Sequence, residues 1–119
     1  MRVMVIVKAT TDSEAGKLPS AELMAAMGAF NQKLIAAGVM VDGAGLKPTS
    51  EGARVAFDGA RRTVKLGPFG ITGVLASGYW IWNVGDLDEA IAWVKQCPNP
   101  MPGPSEIEIR PLYEMEDFA

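Results

Sequence analysis

The chain has 119 residues, 49% of them hydrophobic and 21% charged, a composition that fits one domain with its own core and excludes intrinsic disorder. Its formal charge of −3 has the wrong sign for a protein that gains affinity by neutralising phosphates, so no nucleic-acid partner is expected. The chain has no histidine, which removes the commonest general base, transition-metal ligand and proximal haem ligand, and its single cysteine, Cys97, cannot close an intrachain disulfide.

No metal and no cofactor is expected on that basis, and cysteine usage points to the cytoplasm. Apolar runs such as Val3 to Val7 fall far short of the roughly 20 residues that a membrane span requires, so no membrane is expected as a partner. Met1-Arg2-Val3 opens a strand pattern rather than a signal peptide.

Residues 2 to 8 are β-branched and apolar on both faces, as in a central strand. After a polar stretch from Thr10 to Pro19, Ser20 is an N-cap with Glu22 in the first turn. Leu23, Met27, Phe30 and Leu34 then form one apolar helical stripe that ends before Gly38. Val39 to Val41 begins a second strand running into Gly43 and Gly45, where a bulge is expected. Ala53 to Phe57 and Arg61 to Leu66 flank Asp58-Gly59 and predict a tight hairpin.

Gly67 to Gly78 reads as a loop despite its apolar Ile71, Val74, Leu75 and Ala76. Tyr79 to Val84 is a strand. A second helix follows, with Asp86 and Glu89 as a capping box and Leu87, Ala90, Ile91 and Val94 as the buried stripe, ended by Pro98. The last strand is Glu106 to Leu112. This order suits an α+β, ferredoxin-like sandwich: an antiparallel sheet with two helices on one face.

Alternation groups Val3, Val5, Val7, Tyr79, Ile81, Ile107 and Ile109 beneath the helices. It leaves Arg2, Met4, Ile6, Lys8, Trp80, Trp82, Glu106, Glu108 and Arg110 on the opposite face. Large apolar side chains on a bare face mark a partner surface, so a homodimer through the non-helical face of the sheet is expected.

Several segments, in this order and spacing, resemble the DGPF-domain proteins of the YCII-related group. They are Leu34-Ile35-Ala36-Ala37-Gly38-Val39, Gly43-Ala44-Gly45-Leu46, Gly67-Pro68-Phe69, Gly78-Tyr79-Trp80, Asp88-Glu89-Ala90-Ile91 and Glu108-Ile109-Arg110-Pro111-Leu112. The resemblance covers nearly the whole chain and implies a dimeric α/β barrel, in which two ferredoxin-like subunits enclose a shared pocket. Leu66 stands where the family motif has its aspartate, and Ile71, Gly73 and Val74 stand where charged residues usually follow. The His–Asp pair proposed for related YCII proteins has no counterpart here, so no reaction resting on it is expected.

Glu108 and Arg110 are two apart on one strand and share a face, where they can bind a polar ligand or hold each other. Arg54 would add an anion-binding group if its strand faces the same cavity. Trp80 and Trp82 would wall a pocket for a flat or apolar ligand, or pack a dimer interface. Tyr79, oriented oppositely, would pack on a helix. Asp42, beside the strand glycines, is the best single carboxylate for a general base. Gly67-Pro68-Phe69-Gly70 is a shaped turn without the lysine of a phosphate loop. Residues 71 to 76 read as a flap or, preferably, as a segment buried against a second subunit. Cys97 reads as an inert thiol.

The function expected is a small-molecule-binding or accessory homodimer. Two alternatives remain: a cofactor-free barrel enzyme acting on a small, partly apolar substrate with Arg110 and Glu108 as polar contacts, and a regulatory or structural protein-binding dimer.

Overall fold

The computed structural model describes residues 1–70 and 75–118. Along β1 (Arg2–Lys8) the buried Val3, Val5 and Val7 alternate with Met4, Ile6 and Lys8, which are only half-buried. The strand therefore separates two faces of unequal cover. It lies inside a four-stranded sheet with β2 (Met40–Gly45), β5 (Ala76–Asn83) and β6 (Ile107–Pro111), in the order β2-β5-β1-β6. Each neighbouring pair is antiparallel. Between β2 and β5 the chain leaves this sheet to form β3 (Ala53–Asp58) and β4 (Arg61–Leu66), which among the described residues pair only with each other. The hairpin turn expected at Asp58-Gly59 is present, with Gly59 at a φ of +60°.

Two longer helices cover one face of the sheet. In α2 (Ala21–Ala36), Ser20 Oγ accepts from the Leu23 amide at 3.1 Å, and Phe30 and Leu34 are buried against the sheet. Gly38 turns the chain at a φ of +72°, and the Val39 amide closes the end by donating to the Leu34 carbonyl at 2.9 Å. In α3 (Leu87–Lys95), Asp86 Oδ1 accepts from the Glu89 amide at 2.8 Å. Glu89 reaches one residue beyond the expected box and accepts from the Gly85 amide at 2.9 Å. The buried stripe of α3 is also displaced from expectation. Leu87 and Ile91 are exposed, while Trp93, Val94 and Cys97 pack on the core around the fully buried Ala90. Ala90, Trp93, Val94 and Cys97 follow helical spacing, whereas Ile91 stands about 100° around the helix from Ala90.

The core joins Val3, Val5, Val7, Trp80 and Trp82 to Phe30, Leu34, Val39, Val84 and Ala90, with Ile107 and Ile109 partly buried beside them. This overturns the expected facing of β5. Direct partners in an antiparallel ladder share a face, and here Val3 pairs with Trp82 and Val5 with Trp80. Both tryptophans therefore lie beneath the helices, and Tyr79 and Ile81 lie on the other side. The physical reason is area, since a buried tryptophan removes more apolar surface from water than the isoleucine it displaces. The Phe30 ring meets Trp80 and Trp82 edge-on at centroid distances of 6.0 and 6.3 Å. Trp80 Nε1 donates to Asn31 Oδ1 on α2 at 3.0 Å. Gly43, opposite Trp80, makes room for it, because a Cβ there would stand 2.7 Å from Trp80 Cδ1.

Two smaller differences lie outside the core. β5 starts at Ala76 rather than Tyr79. The polar stretch after β1 holds a one-turn helix, α1 (Thr11–Glu14), capped reciprocally by Thr10 and Ser13. The bulge expected in β2 appears as a register shift between Met40 and Asp42. Of the segment 71 to 76, residues 71–74 lie outside the described residues, and Leu75 is buried with its carbonyl accepting from the Ala9 amide.

Candidate functional site

The sheet face away from the helices is assembled row by row from the strand register. One row runs Asp42, Ile81, Met4, Arg110, and the next runs Ala44, Tyr79, Ile6, Glu108. Each row crosses four strands, so its ends stand ~14 Å apart at ordinary strand spacing. Met4, Ile6, Tyr79 and Ile81 are half-buried and form a central apolar floor. Charges occupy the edges: Asp42 on β2, and Glu108 with Arg110 on β6.

Next to the charged edge on β6 stands a residue of β1 that the sequence reading did not single out. Lys8 Nζ lies 3.0 Å from Glu108 Oε1, while Arg110 Nη1 is 3.8 Å from Glu108 Oε2. The Lys8 side chain is 19% exposed and that of Arg110 is 72% exposed. Glu108 is thus held mainly by Lys8, and the Arg110 guanidinium keeps most of its hydrogen-bonding capacity for another group. The signal for Lys8 was its place in the alternation with Met4 and Ile6.

The sequence-derived site residues divide accordingly. Glu108, Arg110 and Asp42 are on this face, but Asp42 stands at the far edge from the other two. Its Oδ1 accepts from the Gly43 amide at 2.8 Å, which ties the carboxylate to its own strand. Trp80 and Trp82 do not reach the face, being buried beneath α2. Arg54 belongs to the separate hairpin, where its guanidinium lies 4.0 Å over the Phe69 ring, so it does not join the other charges within one chain. Tyr79, expected to pack on a helix, instead adds a phenol to the open floor beside Ile6.

Other chemistry lies apart from this floor. Burial pushes the Cys97 thiol up to about 11, which keeps it protonated and unreactive at neutral pH, in accord with its reading as an inert thiol. Among the described residues no group of three or more His, Cys, Asp or Glu side chains is arranged to hold a metal. No helix among them is long and apolar enough to cross a membrane. At the Arg2 end of the sheet, Arg2 Nε and Nη2 donate to the two carboxylate oxygens of Glu114 at 2.9 and 3.0 Å. These hydrogen bonds hold the Glu114 carboxyl below its ordinary value.

A family model described as the YCII-related domain matches residues 1–116. A protein of Rhizobium meliloti (strain 1021), described as uncharacterised, is 29% identical over 90 residues, covering 76% of this chain and 73% of its own.

Proposed function

Because the chain belongs to the YCII-related domain family, we propose that it is a homodimer whose two sheets meet through their open faces and hold a small molecule between them. The observation that supports this most is the apolar floor of Met4, Ile6, Tyr79 and Ile81, which lies on the face opposite both long helices. A second copy would turn that floor into the inside of a pocket, with apolar walls and a few converging polar groups.

The ligand that suits this floor is small and partly apolar, with an anionic or hydrogen-bond-accepting group. Its apolar part would rest on Ile6 and Ile81, and its acceptor would meet Arg110, whose partner Glu108 is already taken by Lys8. The role assigned is binding rather than catalysis, since the face offers no histidine and Asp42 is engaged with its own strand. A cytoplasmic setting belongs to the same reading, supported by the single unpaired cysteine.

A thermal-shift screen of small aromatic and branched aliphatic carboxylates tests the assignment. A carboxylate that stabilises the parent chain should bind Arg110→Ala about tenfold more weakly, the loss of roughly one charge-assisted hydrogen bond, with the dimer mass unchanged. Equal affinity for both chains would remove Arg110 from the site.

A further inference from the structure

The β3–β4 hairpin is apolar on one face and basic overall. Register puts Ala53, Val55, Phe57, Arg62, Val64 and Leu66 on the same side. Phe57 is 72% exposed and Leu66 74% exposed. A two-stranded hairpin is marginal alone in water, and among the described residues nothing covers the apolar side of this one. It carries Arg54, Arg61, Arg62 and Lys65 against one acid, Asp58. The Arg62 guanidinium lies 4.5 Å over the Phe57 ring, so positive charge sits on the apolar side itself.

The C-terminal segment has the complementary character. Tyr113 is 78% exposed and Phe118 71% exposed, and their rings lie 5.2 Å apart. Glu114, Glu116 and Asp117 accompany them, with no basic residue between Tyr113 and Phe118. Beside them is a surface cleft of about 380 Å³, lined by Met1, Arg2, Asn83, Glu114, Met115 and Glu116.

Strand register sets these two regions at opposite ends of the sheet. The hairpin leaves after Gly45 and the chain returns at Ala76, which pairs with Lys8. The C-terminal segment follows Pro111, which pairs with Val3, and the Leu112 amide donates to the Arg2 carbonyl. A twofold axis that brings two open faces together lies in the plane between them, and its limiting directions are along the strands and across them. An axis along the strands sets hairpin end against hairpin end, opposing two basic arms. An axis across the strands sets the hairpin end of each copy over the acidic C-terminal end of the other. Like charges oppose the first arrangement, and both charge and apolar surface favour the second.

We propose that the β3–β4 hairpin is an arm that docks on the Tyr113–Phe118 segment of a second copy of this chain, closing each end of the shared pocket. The arm rests on the dimer proposed above and fixes which twofold that dimer uses.

Disulfide trapping between differently tagged full-length chains tests it. A chain with Val64→Cys and a chain with Met115→Cys are mixed, allowed to exchange subunits and mildly oxidised, with the parent chain as control for Cys97. The expected product is a mixed-tag dimer that a reductant releases. Sedimentation supplies the second reading. Arg61→Glu with Arg62→Glu should raise the dimer dissociation constant at least about tenfold, and Glu116→Lys with Asp117→Lys in the same chain should restore it. A stable dimer that yields no mixed-tag product and ignores the charge reversals would overturn the arm and leave the sheet-to-sheet dimer standing. A product linking only Val64→Cys chains to each other would do the same. A parent chain that is monomeric throughout would overturn both.

Discussion

The two faces of the four-stranded sheet come from alternate residues of the same strands, yet different demands govern them. The helix-covered face concentrates area: Val3, Val5 and Trp82 are wholly buried, Trp80 nearly so, and Gly43 gives up its side chain so that Trp80 fits. The open face holds half-buried apolar groups in its middle and carries its charge around them, with Lys8 and Glu108 paired and Arg110 turned toward solvent. The first arrangement serves stability within the chain. The second leaves apolar area and donor capacity unused by the chain, which is what association or ligand binding requires.

Substitutions on neighbouring residues of β5 should separate the two roles most sharply. Trp82→Ala removes the largest wholly buried side chain and should cost about 3–5 kcal/mol in denaturant unfolding. Ile81→Ala, one residue away on the half-buried face, should cost the isolated chain about 1 kcal/mol or less while weakening the dimer. Equal losses in the isolated chain would mean that both faces are packed alike. Trp82→Phe refines the contrast. The indole Nε1 of Trp82 is buried with no acceptor among the described residues, so replacing it forfeits area but relieves a desolvated donor. A cost below about 1.5 kcal/mol is expected, and a loss as large as that of Trp82→Ala would mean that the nitrogen is satisfied.

The smallest effect belongs to the exposed Arg2–Glu114 pair at the sheet end. Glu114 titrates below the ordinary glutamate value of 4.5 in the folded chain, so the unfolded chain takes up its proton at higher pH. The stabilisation is complete above that value and is lost as acidification proceeds through the lower, folded value. Urea midpoints should accordingly fall less steeply on the acid side for Glu114→Gln than for the parent. Parallel pH profiles would show that the pair does not contribute.

Much of this was legible from local signals. The Val3-Val5-Val7 alternation, the Ser20 cap with its Phe30 and Leu34 stripe, and the Asp58-Gly59 turn each carry their geometry within a few residues, and each appears as expected. The facing of β5 was not legible, because Tyr79, Trp80, Ile81 and Trp82 are all apolar and leave no period-two contrast. Only pairing with Val3 and Val5 on a strand far away in sequence decides it. The candidate site divides in the same way. Glu108 and Arg110 share a face because they are two apart on one strand, which sequence spacing alone conveys. The grip of Lys8 on Glu108, the distance of Asp42 and the departure of Arg54 onto a separate hairpin all depend on strand order, which no local pattern encodes.

The proposed dimer has two chains meeting through their open faces around a ligand. Native mass spectrometry of gently purified parent chain beside Ile6→Glu tests it most directly, since Ile6 lies in the middle of that floor and outside the buried core. The parent should be a dimer carrying added small-molecule mass, and Ile6→Glu a folded monomer without that mass. A bare monomeric parent, or a dimer that Ile6→Glu leaves intact, would contradict it.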